Sequence, residues 1–362
     1  MAATGFACGA RGDWPDPALA VRAVRAGLER QGAERAAGVL LFLTGHYARD
    51  PLPAIRAVAR AAQTLQIAGC TAVGVYTEER WVIDAPGAAA LVFVAGDETA
   101  CPAPALDAHP EDWLLALAAP RAATREWLAM PGRRIGGLAG DGTGRGPFPV
   151  WSAGKVLDSG HLDLLLPQKD CRVALSAGLM PLSALLEVTD VREHDLLRVA
   201  HRPALSALVA QALPHLEADG PFPWHRLLLA RATDEPALAL ASGDYELMPV
   251  LGVNPNRSIV VAGRLLPGER VFSVLRQPDV ARQELDVRLA TSRPPHPPRY
   301  ALLVSCAGRG AGFYDGRDAD WEAVRRAWPD LPLIGFYGNG EIAPQGGRNR
   351  VHQYASVCAL VG

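Results

Sequence analysis

The sequence predicts an α/β protein, with α+β as the alternative, made of two related halves that are each a sheet flanked by helices. Three observations carry this. Short continuous apolar runs at 39–43, 89–95 and 301–305 have the length of buried strands rather than of helices. Apolar stripes at helical spacing lie between them: Val21, Val24 and Leu28, then Ile55, Val58, Ala62 and Leu65, then Trp321, Val324 and Trp328. The order strand, polar turn, helix, glycine turn, strand occurs near the start and again at the end, which points to an internal duplication.

Taken in order, Asp16-Pro17 opens the first helix, since Asp caps free N–H groups and Pro tolerates the first helical position; Gly32 stops it. Thr44-Gly45-His46-Tyr47 turns the chain after the first strand, and Asp50-Pro51 repeats the cap-and-proline opening. Residues 112–128 carry a helical period broken by Pro120, and 134–146 read as a glycine-rich mobile loop. Strands are expected at 151–157 and 161–166, and a hairpin at 184–191 and 196–199 around Arg192-Glu193-His194-Asp195. Pro203 starts a helix through Leu213, and 258–262 with 270–275 read as a second hairpin. The run Pro294-Pro295-His296-Pro297-Pro298 is a stiff connector to the last unit, which closes on a strand at 355–361.

At 362 residues the chain is long enough for two domains or one duplicated unit. A net charge of −2 gives no electrostatic case for nucleic acid or an anionic membrane. The six cysteines include no Cys-x-x-Cys pair, so neither a zinc knuckle nor a disulfide framework is indicated, and reduced thiols in the cytoplasm are expected. The N-terminus lacks the basic start and apolar centre of a secretory leader, and no apolar run is long enough to span a bilayer.

Chemistry concentrates near the C-terminal end. Ser305-Cys306-Ala307-Gly308-Arg309-Gly310 brings a thiol and a guanidinium to a glycine turn; Gly335-Phe336-Tyr337-Gly338-Asn339-Gly340-Glu341-Ile342 brings a carboxylate to another. Glycine permits close backbone approach, so the two turns are expected to meet at one small polar site. There Arg309 grips a carboxylate through two parallel bonds, or else pairs with Glu341 or another acid of the protein. Cys306 is a thiol tuned by Arg309, or a small residue ending a buried strand. Glu341 accepts from a ligand amine or hydroxyl, or caps its own turn. Tyr337 and Phe336 wall a pocket or belong to the core.

These two stretches resemble the C-terminal half of the FIST (F-box and intracellular signal transduction) domain. Ile67-Ala68-Gly69-Cys70-Thr71-Ala72-Val73-Gly74 and Ile135-Gly136-Gly137-Leu138-Ala139-Gly140-Asp141 resemble its N-terminal half. The resemblance implies an N-terminal helical segment at 1–35, a FIST N-terminal domain at 36–198 and a FIST C-terminal domain at 199–362. It implies a sensory small-ligand-binding module acting through a signalling partner, not an enzyme. The expected contacts are Cys306, Arg309, Tyr337, Gly340 and Glu341, with Cys70 and Thr71 from the first half. One departure stands out: the family carries an acid straight after the second glycine of the first motif, where this chain has Val75. One cation with one carboxylate suits a zwitterion, so the expected ligand is an amino acid.

Two rival classes remain. A Cys-dependent hydrolase or transferase needs a histidine beside Cys306, with His352 and His46 as the candidates. Some FIST-like proteins resemble haem-binding nitric-oxide sensors, and the same two histidines are the axial candidates here. No P-loop, Gly-x-Ser-x-Gly or His-Glu-x-x-His motif is present, and Asp141-Gly-Thr-Gly-Arg-Gly146 has a nucleotide loop's glycines without a helix pattern after them.

Overall fold

The computed structural model describes residues 2–94, 101–166, 170–216 and 222–362. Two compact units result: Met1–Ala177 with Glu284–Gly362, and Gly178–Gln283. The protein is α/β, with mixed sheets flanked by helices.

The larger unit contains three six-stranded sheets of one design. The first runs Ala2–Cys8, Gly87–Val94, Ala36–Thr44, Ile67–Ala72, Val150–Ser152, Lys155–Val156. The second runs Ala103–Pro104, His161–Leu165, Trp113–Ala118, Arg133–Leu138, Glu341–Gln345, Arg348–His352. The third runs Cys171–Ser176, Ser356–Val361, Tyr300–Cys306, Leu333–Gly338, Gly74–Thr77, Trp81–Ile83. In each, the third and fourth strands are parallel and every other pair is antiparallel. The strand order read twice in the sequence therefore recurs in a third, shorter copy. Among the described residues its one α-helix, Arg125–Ala129, is a single turn and a half, so the period that marks the other copies is missing from it.

The copies exchange their hairpins in a cycle. The hairpin after Ile67–Ala72 completes the third sheet, the one after Leu333–Gly338 the second, and the one after Arg133–Leu138 the first. The glycine motifs are strands rather than turns, and close packing within the parallel pair explains one glycine in each. Gly69, Gly136 and Gly335 lie opposite Leu41, Ala116 and Leu303 of the parallel neighbour. A Cβ on any of them would sit 1.7, 2.0 or 1.9 Å from that neighbour's carbonyl oxygen. At Gly335 it would also meet the Tyr76 ring at 2.2 Å, the ring delivered by the exchanged hairpin. Tyr76 donates its hydroxyl to the carbonyls of Leu303 and Phe336 at 2.6 and 3.1 Å, which fastens that hairpin across two strands.

All three sheets contribute to one core, where Phe42, Val75, Leu117, Ile135, Val304 and Phe336 are buried together. The Phe42 and Phe336 rings pack at 4.7 Å across sheets. Helices cover the outer faces. Pro17–Arg30, capped by Asp16 at 2.8 Å, and Leu52–Ala62 bury Leu19, Val24, Leu28, Ile55 and Val58 on the first sheet. Leu285, Leu289 and Val324 cover the third, and Trp127 the second. No helix among the described residues is long and apolar enough to cross a membrane.

The smaller unit is a closed antiparallel ring: Arg270–Arg276, Leu186–Arg192, Asp195–Val199, Ile259–Val261, Tyr245–Val253, Leu227–Ala232 and back to the first. Helix Ala204–Ala212 joins its core through Leu208 beside Val188, Leu196 and Ile259.

Several expectations change. Residues 112–128 are not a helix: Trp113–Ala118 is a continuous apolar run buried as a parallel strand. The start of the expected mobile loop is the strand Arg133–Leu138. The 258–262 and 270–275 segments do not pair with each other, because each is flanked by other strands of the ring. Asp50 makes no cap bond. The strand Ala2–Cys8 was hidden by its small residues. Ala95, the expected end of a strand, lies outside the described residues.

Candidate functional site

The parallel pair Tyr300–Cys306 and Leu333–Gly338 sets Cys306 opposite Gly338, so the two C-terminal turns do begin side by side. Arg309 follows on a single 3-10 turn and is 1% exposed. A buried guanidinium must be paired, and this one is. It grips Asp320 with Nε to Oδ2 at 2.8 Å and Nη2 to Oδ1 at 3.1 Å. It also donates to the Ser176 carbonyl and hydroxyl at 2.8 and 2.7 Å and to the Tyr314 hydroxyl at 3.2 Å. Burial works against its charge, but Asp320 beside it more than offsets that and raises its pKa. Arg309 thus takes the second of its two readings, with Asp320 as the acid.

Glu341 opens the hairpin of the second sheet and is fully buried. Its Oε2 accepts the Ala355 N–H at 3.1 Å, and its Oε1 has no hydrogen-bond partner. Burial raises its carboxyl well above the usual range; the Ala355 bond and the Arg309 charge oppose this without reversing it. Cys306, buried, donates its N–H to Ala355 at 2.9 Å, so Ala355 links the thiol's backbone to the acid. Gly340 accepts from the Leu138 N–H at 2.8 Å and lies against Leu138 and Val351. Tyr337 donates its hydroxyl to Asp318, which also caps Trp321 at 2.8 Å. Burial, then the neighbouring Asp320, pushes Asp318 up to about 6. Cys306, Arg309, Tyr337, Gly340 and Glu341 are therefore brought together, in a buried polar cluster tied to protein partners.

Cys70 and Thr71 lie elsewhere, in the first sheet, and as consecutive strand residues point to opposite faces. Cys70 faces the shared core, where burial pushes its thiol up; the Thr71 hydroxyl is buried without a partner. Of the two histidines, His352 lies directly across the hairpin from Glu341, whereas His46 belongs to a turn of the first sheet. His352 is buried, its Nε2 donates to the Ala343 carbonyl at 3.2 Å, and burial lowers its pKa to about 4. His46 is exposed on the turn after the first sheet's parallel pair, its Nδ1 3.1 Å from the Thr44 hydroxyl. The His352 Nε2 is thus spent on a carbonyl. Among the described residues no group of three or more His, Cys, Asp or Glu is placed to hold a metal.

Open space lies at other carboxyl ends of the parallel pairs, the position where open α/β sheets bind ligands. It is organised by the 141–148 loop. Asp141 accepts from the N–H groups of Thr143, Gly144 and Gly146 at 3.0, 2.7 and 2.8 Å, and from the Thr143 hydroxyl. Burial alone would raise its carboxyl, but these bonds hold it below the usual range. Gly142, Gly144 and Gly146 take φ of +74°, +70° and +85°, a conformation that favours glycine. On one side the loop bounds a cleft of about 510 Å³ with Arg49; on the other, one of about 610 Å³ with Arg121, Phe148 and Asn339. Arg145 lines both. Arg49, Arg121 and Arg145 are exposed and make no ion pair among the described residues. Sequence reasoning missed all three; the one signal was Arg145 between two glycines.

Comparison with known proteins agrees with the resemblance. The FIST N domain model matches residues 38–202 and the FIST C domain model residues 190–344. An uncharacterized protein of Mycobacterium tuberculosis strain H37Rv is 28% identical over 237 residues, 64% of this chain and 61% of that protein. One of Mycobacterium bovis is 29% identical over 238 residues, again 64% and 61%. F-box only protein 22 of Homo sapiens is 33% identical over 89 residues, 23% of this chain and 22% of its own length. The chain spans about three-fifths of the length of the mycobacterial relatives it matches. With the two domain models together covering residues 38–344, the chain belongs to the FIST family of signal-transduction sensor domains.

Proposed function

We propose that this chain is a sensory module that binds a small carboxylate-bearing ligand beside the 141–148 loop and signals through a partner protein. The observation that carries the reading is the 610 Å³ cleft, where Arg121 and Arg145 make no ion pair among the described residues and Asn339 adds an amide. Exposed guanidinium groups at the mouth of a preformed cleft suit a carboxylate, which each can hold through two bonds. The buried Cys306, Arg309 and Glu341 cluster serves as the scaffold that sets the Gly338-Asn339-Gly340 turn. An amino acid would dock its carboxylate in this way, but its ammonium would find no acid among the residues that line this cleft.

A thermal-shift and calorimetry screen of amino acids and small carboxylic acids tests the reading. A carboxylate should raise Tm, and Arg121→Ala with Arg145→Ala should weaken its binding about 10- to 100-fold, the worth of one or two charge-assisted bonds. If no compound binds, or the double variant binds as well as the native chain, the reading fails.

A further inference from the structure

We infer that the ligand is a dianion, a dicarboxylate whose two acidic groups lie in the two clefts on either side of the 141–148 loop. This rests on the reading above and extends it. The two clefts share Arg145, Gly146 and Pro147, so they adjoin along the loop. Each adds an arginine of its own, Arg49 in one and Arg121 in the other. Three cations thus line the pair of clefts against one acid, Asp141. That acid receives four hydrogen bonds within its own loop and so offers nothing to a ligand ammonium. A single carboxylate would satisfy one cleft and leave the arginine of the other without a counter-charge. Two carboxylates joined by a short spacer give each outer arginine its own partner, with Arg145 between them.

The loop is also held before any ligand arrives. Asp141 ties three of its N–H groups, and Gly45 packs so closely on it that a Cβ would lie 2.5 Å from the Asp141 backbone. Such preorganisation lowers the ordering cost of binding and fixes the spacing between the two anion positions. The site should therefore discriminate by spacer length as well as by charge.

The test is calorimetry on the full chain with succinate, glutarate and adipate against butyrate, alanine and inorganic phosphate. One dicarboxylate should bind about 100-fold tighter than butyrate, the gain of a second charge-assisted contact. Arg49→Ala and Arg121→Ala should each cost that dicarboxylate about tenfold, whereas only one of them should affect butyrate. All three arginines are exposed, so circular dichroism and Tm of the free variants should not change. Equal binding of mono- and dicarboxylates, or Arg49→Ala without effect on the dicarboxylate, overturns the dianion while leaving a one-cleft carboxylate site standing. Tighter binding of phosphate or alanine than of any dicarboxylate overturns it too. Absence of any binding sinks the underlying reading as well.

Discussion

Arg309 and Arg145 show how one residue type divides between scaffold and site. Both sit in glycine-flanked turns, and nothing local in the sequence separates them. Arg309 is enclosed and its donors go to Asp320, Ser176 and Tyr314, so removing it leaves a buried carboxylate without its cation. Arg309→Ala is expected to cost about 3–5 kcal/mol, read as a lower urea midpoint, whereas Arg145→Ala should stay within about 0.5 kcal/mol. Equal, small losses at both would mean that Arg309 is not the pillar of its cluster. The buried acids and His352 make opposed contributions to pH dependence. Asp318 is raised from 3.8 to about 6, so the folded state holds its proton more tightly, and its contribution to stability falls as pH rises from about 4 through about 6. His352 is lowered from 6.5 to about 4, so its contribution rises with pH over about 4 to 6.5. Asp318→Asn should therefore make the rise in stability between pH 4 and 6 steeper, by up to about 3 kcal/mol across the window. A flatter profile in the variant would contradict this assignment.

At the scale of the element, the motif glycines are explained by strand packing. Gly335→Ala would drive a methyl group between the Leu303 carbonyl and the Tyr76 ring, neither of which can retreat without breaking a strand pairing. The expected loss is more than about 3 kcal/mol, beyond ordinary overpacking. Gly312→Ala, in open space, should change Tm little. Comparable effects at the two sites would refute the close-approach argument. Strands were legible where an apolar run stood alone, as at Tyr300–Cys306. They were misread where the run adjoined a helix-like period: Trp113–Ala118 satisfies both templates locally, and only its parallel pairing with Arg133–Leu138 decides. The 134–146 stretch divides for the same reason. Its first half is buried between sheet neighbours, and its second half folds on Asp141, a choice that composition does not express.

For the whole molecule, the governing feature is the cyclic exchange of hairpins among three sheets. No copy is complete alone: the first sheet needs Val150–Ser152 and Lys155–Val156 from the second copy, and gives Gly74–Thr77 and Trp81–Ile83 to the third. Cooperative folding of this unit is expected, because each sheet closes only when the others are present. A fragment of residues 2–94 should lack native circular dichroism and aggregate through its open sheet edge, whereas 178–283, a closed ring with its own core, should melt cooperatively on its own. A well-folded, monomeric 2–94 would argue against the interdependence.

The sequence by itself determined the α/β class, the family, most helices and the fact of repetition, because these rest on local periodicity and on motifs read within a few residues. It also placed Cys306, Arg309, Tyr337, Gly340 and Glu341 in one neighbourhood. The tertiary structure decided what that neighbourhood is: Asp320, on the helix that follows, and Ser176, from a remote strand, occupy the Arg309 fork and turn an apparent ligand grip into a buried pairing. It decided as well where the unpaired cations stand. Arg49, Arg121 and Arg145 belong to three separate turns, and they line adjoining clefts because the first and second sheets end parallel strands there. Charge left without a partner is a property of distance in space, which no local pattern along the chain records.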